Sequence, residues 1–426
     1  MKKRKDNSLK LILILIVCLA GIIFLLTTNL SFIGKHSIHS DAKRYSNRHC
    51  LIFYPDSADG KAFAKSLCKN NKEDKIYDYS LVPYGDYYLV DYGSYQYFAD
   101  KEYKAIKIEK VSEAGKRIIS DYLRYDMKKN DPERYFDLDF LESSYVDNLS
   151  LDDVTYDIDG VNLVCHFPEY DMDVHVPLRY MQDILNMDFG YPEEEYVKPT
   201  YIIDDEKYPV ICLTFDDGPQ FWYEYDECDS VKIVDSLYRY DACGTFYVVG
   251  DCLEERDCWN DHDALMFLRD SISKGNEYGS HTQDHSTYLT DYSSSEAIRN
   301  AINGPAEYMK EELGYEMKTY RPVGGFFDDD VLASQDLPAI LWDIDSYDWG
   351  AESSEEVYET VMKYEMADGD IIIFHDIYDI SAEAITRIVP ELIEKGCQLV
   401  SVSEMLRYLG LDVSSLSYYY NNGYYE

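Results

Sequence analysis

Positive charge is scarce in this 426-residue chain: 40 Lys and Arg stand against 81 Asp and Glu, a formal net charge of -41. Such a surface repels a phosphate backbone, so nucleic-acid binding by charge attraction is excluded. It also disfavours docking on anionic lipid and suits a neutral or cationic ligand. Paired metal-knuckle cysteines are missing, since none of the ten Cys stands in a Cys-x-x-Cys pair, and a structural zinc knuckle is not expected. Tryptophan is sparse, 4 residues against 43 Tyr. Long apolar runs are confined to one, from Leu11 to about Leu26, with weakly polar Thr27, Thr28 and Asn29 and then Leu30 to Ile33 behind it.

That run follows Lys2, Lys3, Arg4, Lys5 and Lys10. A bilayer-crossing helix needs about 20 apolar residues, and basic flanks stay on the cytoplasmic side. The pattern predicts a basic cytoplasmic segment over 1–10 and a transmembrane anchor over 11–33. Everything beyond would lie outside the cytoplasm, as a single-pass protein of the cell membrane. No small-x-small cleavage site marks the run as a removable signal peptide. Cys18 sits in the span, and the nine other Cys cannot all pair within one chain. Cys228, Cys252 and Cys258 lie close together in an expected loop, where one disulfide is expected.

Beyond the anchor, 34–47 reads as a linker and 48–190 as a small α+β domain. It contains a tyrosine-rich alternating stretch (Tyr87 to Tyr92), a helix around Val111 to Tyr125, and strands at Val161 to Phe167 and Val174 to Val176. The acidic, proline-bearing stretch 191–207 reads as a second linker. Over 208–411 short apolar runs alternate with amphipathic ones. Strands are expected at Val210–Phe215, Thr245–Val249, Glu277–His281, Tyr320–Val323, Ile340–Ile344, Ile371–Phe374 and Leu399–Val402. Capping boxes mark helix starts at Ser293–Glu296 and Ser353–Glu356. The fold class that follows is α/β, a distorted (β/α) barrel preceded by the anchor and the α+β domain. The tyrosine-rich tail 412–426 has no period and is expected to be peripheral or disordered.

In such a sheet, functional side chains gather at the C-terminal ends of the strands. The first strand runs into Thr214-Phe215-Asp216-Asp217-Gly218-Pro219, which alone would be a strand-ending turn. The third runs into His281-Thr282-Gln283-Asp284-His285, which alone would be two surface histidines. Together, a carboxylate and two imidazoles make a facial triad with open positions, suited to Zn²⁺, Co²⁺ or Mn²⁺. Further strand ends carry Arg321-Pro322-Val323-Gly324-Gly325, Trp342 to Trp349, and His375-Asp376.

This constellation resembles the polysaccharide deacetylases, family 4 of the carbohydrate esterases, over about residues 208 to 408. Thr214 to Pro219 matches the family's most diagnostic motif, and His281 to His285 its metal motif; Ala242 to Gly250 is similar to its second strand. The resemblance implies a divalent metal, zinc first with cobalt or manganese as options, on Asp217, His281 and His285. It implies Asp216 as general base held by Arg321, and the Gly324 N–H as oxyanion donor. His375 would be the acid on the leaving amine, with Asp348 tuning it and Trp349 packing nearby, and Ile373 would line the pocket for the acetyl methyl. The implied activity is N-deacetylation of a cell-envelope polysaccharide, peptidoglycan GlcNAc or MurNAc above others. O-acetyl esterase activity of the xylan type and an inactive glycan-binding module are the alternatives. Two departures stand out: Val323 and Gly324 replace the family's usual Pro and aromatic, which would open that wall of the groove. An insertion, Gln220 to Asp229, would serve as a substrate loop or an ornament.

Overall fold

The computed structural model describes residues 42–46, 51–55, 61, 62, 65, 79–84, 87–92, 95–99, 111–159, 161–182, 191, 192, 194–254, 258–421 and 423–425. The expected anchor, 11–33, lies outside the described residues. Among the described residues no helix is long and apolar enough to cross a membrane. The chain divides into two compact units, 1–108 with 187–191 and 109–186 with 192–426. In the first, β1 (Ala42–Ser46), β2 (Leu51–Pro55), β3 (Tyr79–Tyr84), β4 (Tyr87–Tyr92) and β5 (Tyr95–Ala99) form one sheet in sequence order. The last three make an antiparallel meander. The linker expected over 34–47 therefore ends in a strand, because β1 finds a partner in β2 through a register that local composition does not reveal.

The second unit begins with the helix Glu113–Asn130, capped by Ser112, and two short helices, Pro132–Tyr135 and Leu138–Ser144. The antiparallel sheet of β6 (Thr155–Asp159), β7 (Asn162–Phe167) and β8 (Met172–Pro177) follows. The segment read as one α+β domain thus contributes to both units. Next come β9 (Val210–Asp216), β10 (Gly244–Val248), β11 (Glu277–Ser280), β12 (Ala339–Ile340), β13 (Ile344–Asp345), β14 (Ile371–His375) and β15 (Gln398–Leu399). All seven positions of β9 are buried, the mark of a central parallel strand covered on both faces. The parallel order is β11-β10-β9-β14-β13, with β15 on the start of β9. Bridges from Ser280 to Tyr320 and from Tyr320 to Ala339 carry the sheet further round.

Three expected strands are shorter than their apolar runs; of Leu399–Val402 only Leu399 is strand, in β15, and Val402 opens the helix Val402–Tyr408 behind Ser401. At Tyr320–Val323 only the Tyr320 bridge forms: Pro322 has no N–H to give a ladder, and Val323–Gly325 turns as a 3-10 segment. The run Ile340–Ile344 splits into β12 and β13 because the Leu341 N–H turns aside to the Tyr419 carbonyl, 2.9 Å away. That carbonyl belongs to β16 (Tyr418–Tyr420), which pairs with β12 and with β17 (Gly423–Tyr425). The expectation of a peripheral or disordered tail is therefore corrected. Tyr419 is buried in the core cluster with Val210, Ile340 and Ile371. Ser353 caps its helix as expected, whereas the other helix, Ser295–Leu313, is capped by Ser294, one residue later than the Ser293 reading.

The helix Glu113–Asn130 is docked by Arg124, which is fully buried. Its guanidinium donates to the carbonyls of Tyr238 (2.7 Å), Arg239 (3.1 Å) and Leu141 (3.4 Å), and to Ser144 Oγ (3.0 Å). Tyr238 and Arg239 end the helix Asp229–Arg239, so the cation meets carbonyls that have no intrahelical partner, at the negative end of the helix dipole. The stretch 191–207, read as a linker, is strapped to the same unit. Lys198 pairs with Asp241 at 2.9 Å, both nearly inaccessible, and the Ile203 N–H donates to Gln398 Oε1 at 2.6 Å. Cys228 is a buried free thiol and takes no part in the disulfide expected around it. Replacing Arg124 with Met keeps the apolar stem but takes the donor from the Arg239 carbonyl and the charged hydrogen bonds from those of Tyr238 and Leu141, which keep the Asp241 N–H and Ser144 Oγ. Urea unfolding is expected to show a loss of about 3 kcal/mol, with Arg124→Lys recovering part of it.

Candidate active site

Register places the chemistry. Asp216, the last residue of β9, lies opposite His375 of β14 on one side and Tyr247 of β10 on the other. Directly after it Asp217 takes a left-handed conformation with φ of 80°, and the Gly218–Pro219 peptide is cis. The turn is tied from below by Asp376, a residue without a role in the sequence reading. Its Oδ1 accepts the Gly218 N–H at 2.9 Å and its Oδ2 accepts from Ser230 Oγ at 2.6 Å, while its own N–H donates to the Asp216 carbonyl at 3.2 Å. A Cβ at Gly218 would fall 2.2 Å from that carboxylate, so the motif needs glycine for space. Burial pushes the Asp376 carboxyl up to about 7, opposed by the Ser230 hydrogen bond. The inserted loop is pinned nearby: Gln220 accepts from the Asp229 N–H at 2.8 Å, and Trp259 Nε1 donates to the Tyr223 carbonyl at 2.7 Å.

Asp217, His281 and His285 come together with one ligand atom each, all within 4.8 Å of one another. Asp217 Oδ1 lies 3.4 Å from His281 Nε2 and 3.1 Å from His285 Nε2, yet this buried oxygen makes no hydrogen bond. An orphaned buried carboxylate oxygen facing two imidazole nitrogens is costly unless a cation satisfies it. The His281 Nδ1 lies 2.8 Å from the Arg321 carbonyl, which can only accept. Nδ1 therefore carries the proton and Nε2 offers its lone pair toward Asp217. Burial, outweighing the Asp217 charge, lowers the His281 pKa to about 3, so the ring is neutral at pH 7 as a ligand must be. One carboxylate and two imidazoles fit a divalent ion with open coordination positions.

Asp216 stands beside this set, its Oδ2 3.6 Å from His281 Nε2. Its other oxygen accepts from Arg321 Nη1 at 2.8 Å. The same Nη1 reaches Thr214 Oγ1 at 2.8 Å, Nε donates to the Ile340 carbonyl at 2.9 Å and Nη2 to the Leu341 carbonyl at 3.1 Å. Burial raises the Asp216 pKa and the guanidinium opposes it, the balance expected of a base that must both exist as carboxylate and accept a proton.

Across the sheet, His375 Nδ1 lies 2.8 Å from Asp348 Oδ1. Asp348 is clamped as well by the His375 N–H at 2.7 Å and by Ser381 Oγ at 2.6 Å. Burial alone would lower the His375 pKa, but the Asp348 hydrogen bond and charge, aided by Asp216 and Asp217, raise it to about 9. His375 is thus an imidazolium at neutral pH, with Nε2–H left over for a second partner. Gly324 is in the turn after Arg321, with φ of 62°. Ile373 is buried on β14, and Trp349 stands exposed beside Asp348 in contact with Tyr347, ring centroids 5.9 Å apart. Ser381 is a further member that the sequence does not mark, and Thr214, quoted there only as part of its motif, proves to hold the Arg321 guanidinium. Hydroxyls are too common for such a role to show in the sequence, and Asp376 was marked only by its adjacency to His375.

Asp217→Ala and His281→Ala are expected to abolish stoichiometric binding of Zn²⁺ or Co²⁺ to the metal-free protein in titration calorimetry. Asp376→Ala, which frees the turn, is expected to weaken that binding about 10–100-fold, the range for groups that orient ligands.

A family model described as polysaccharide deacetylase matches residues 204–338. The chain is 32% identical over 214 residues to the peptidoglycan-N-acetylmuramic acid deacetylase PdaC of Bacillus subtilis, covering 50% of this chain and 41% of that protein. It therefore spans less than half of that relative's length. A peptidoglycan-N-acetylglucosamine deacetylase of Bacillus cereus is 30% identical over 207 residues, covering 47% of this chain and 89% of its own. The solved structure of the B. subtilis deacetylase aligns with a TM-score of 0.42 at 32% identity, over 48% of this chain and 94% of the other. By its 30% identity across 89% of the B. cereus deacetylase, the chain belongs to the polysaccharide deacetylase family.

Proposed function

We propose that this protein hydrolyses N-acetyl groups on a cell-envelope glycan, with GlcNAc or MurNAc residues of peptidoglycan as its substrate. The observation that carries the reading is the convergence of Asp217, His281 and His285, with Asp216 beside them and the charged His375 opposite Asp216 on the next strand. The relatives' names supply the polymer. Zinc is the proposed metal. The apolar run 11–33 is proposed as a membrane anchor that would hold the enzyme against that polymer from outside the cytoplasm.

Asp217, His281 and His285 would hold the metal, which when bound supplies Lewis acidity to polarise the acetyl carbonyl and acidify the attacking water. Asp216, fixed by Arg321, takes the proton as the water oxygen adds to the carbonyl carbon. The Gly324 N–H is the proposed partner for the developing oxyanion, a contribution of about 3–4 kcal/mol. As the C–N bond breaks, His375 passes its Nε2 proton to the departing nitrogen, giving acetate and a free amine. An amide nitrogen cannot leave unprotonated, and an imidazolium with a pKa near 9 stays loaded for that step at neutral pH. This favours the amide reading over an O-acetyl ester, whose alcohol leaves more readily.

Acetate release from peptidoglycan and chito-oligomers by the full chain with Zn²⁺ tests the reading. No release from either, or faster turnover of acetylxylan, would sink it. Asp216→Asn is expected to lower kcat by about 10²–10⁴-fold. Activity is expected to fall as pH rises through about 9, where His375 loses its proton, and Asp348→Asn is expected to move that limb down by removing the partner that raises the pKa. The same pair stabilises the fold. With the folded pKa raised, its contribution is complete below the unfolded value of about 6.5 and is lost as pH climbs through about 9. Thermal melts across that window are expected to show the decline in the native protein and not in Asp348→Asn.

A further inference from the structure

Exposed aromatic side chains collect beside the proposed oxyanion position. Tyr288 and Phe326 are 46% and 55% exposed and meet edge to face, ring centroids 5.1 Å apart. Tyr288 lies three residues beyond His285, and Phe326 two beyond Gly324. A Cβ at Gly324 would stand 3.0 Å from the Phe326 ring and 3.4 Å from the Tyr288 ring. The pair therefore borders the glycine whose N–H is assigned to the acetyl oxygen. It also stands where the Val323-Gly324 substitution was expected to leave the wall open.

The pair is held rigidly. Leu289, next to Tyr288, and Phe327, next to Phe326, both pack into one core cluster with Ile298, Tyr320 and Val331. The two loops that carry the metal ligand His285 and the Arg321–Gly324 turn are thus fastened to a common base while two rings project outward. Two large aromatic side chains kept in water and preorganised by buried neighbours suit a ligand with an apolar face. The C–H face of a hexosamine ring is such a surface. It is uncharged, which suits a chain with net charge -41, and Tyr288 adds a hydroxyl for a sugar OH.

We infer that Tyr288 and Phe326 form a stacking platform for the sugar adjoining the residue being deacetylated, so that the site takes a glycan chain in preference to a free monosaccharide. The inference rests on the proposed deacetylase reading and specifies its substrate length. The measurement is KM and kcat for N-acetylglucosamine and for its β-1,4 oligomers of two to five residues. Wild type is compared with Phe326→Ala, Tyr288→Ala and the conservative Phe326→Tyr, with metal content as the check on site integrity. The expected result is a rise in kcat/KM of about tenfold or more from the monomer to the oligomers, the equivalent of one good contact. Either alanine variant loses most of that rise through KM while retaining its metal, and Phe326→Tyr restores it. Wild-type chain-length dependence in both alanine variants, or a monomer turned over as well as an oligomer, overturns the platform. Calorimetric titration of the trimer into the metal-free chain needs no turnover and separates the two readings. Affinity lost in the alanine variants upholds the platform even if no acetate is ever released, and unchanged affinity overturns it even if the enzyme is active.

Discussion

The guanidinium of Arg321 spends its donors on Asp216, Thr214 and the carbonyls of Ile340 and Leu341, while its own carbonyl receives His281 Nδ1. One fully buried residue therefore orients the proposed base with its side chain and sets the tautomer of a metal ligand with its backbone. A buried cation is tolerated only when its donors are satisfied and its charge is met. Here both conditions are supplied by the groups it positions, and the Tyr247 ring, 4.3 Å from the guanidinium carbon, closes its remaining face. Lysine could match the charge but not this fork of directed donors.

Two histidines at the C-terminal ends of β11 and β14, strands separated by β10 and β9, are pushed in opposite directions by their surroundings. His281, buried with a carbonyl on Nδ1, is held neutral with a pKa near 3. His375, with a carboxylate on the same ring atom, is held charged with a pKa near 9. The acceptor on Nδ1 and the balance of burial against nearby charge separate a ligand from an acid. Divergent pKa values at adjoining positions of one site are the pattern by which acid, base and ligand roles are divided at a single pH. Asp376 does a quieter job. It binds the Gly218 N–H and Ser230 from the strand that carries His375, so the turn presenting Asp217 and the strand presenting the acid are one assembly.

Much of this is legible in the amino-acid sequence. Asp216, Asp217, His281, His285, Arg321, Asp348 and His375 lie at or beyond the ends of apolar runs, where parallel strands buried on both faces leave their polar residues, and the motif resemblance to the deacetylases implied their roles. The strand positions were readable for the same reason, with the exceptions of Leu399–Val402, which runs into a helix at Val402, and of Tyr320–Val323 and Ile340–Ile344. There a proline and a pairing tail override local apolarity. The tail itself looked featureless because tyrosine serves surface and core alike, and only the pairing of β16 with β12 decides that Tyr419 is inside. Asp376, Ser230 and Ser381 stayed silent, since their partners are 158, 146 and 33 residues away in sequence.

What the sequence determined by itself is the inventory: an acidic surface, an α/β strand-and-helix alternation, and the chemical groups for a metal-dependent hydrolysis at successive strand ends. These follow from residue type and period, which are local properties. Only the tertiary structure decided how those groups are tuned and walled. The proton on His281 Nδ1, the charge on His375, the glycine forced at 218 by Asp376 and the ring pair beside Gly324 all depend on distances between segments remote along the chain. Such distances are set by strand register and packing, and neither is encoded in any single stretch of residues.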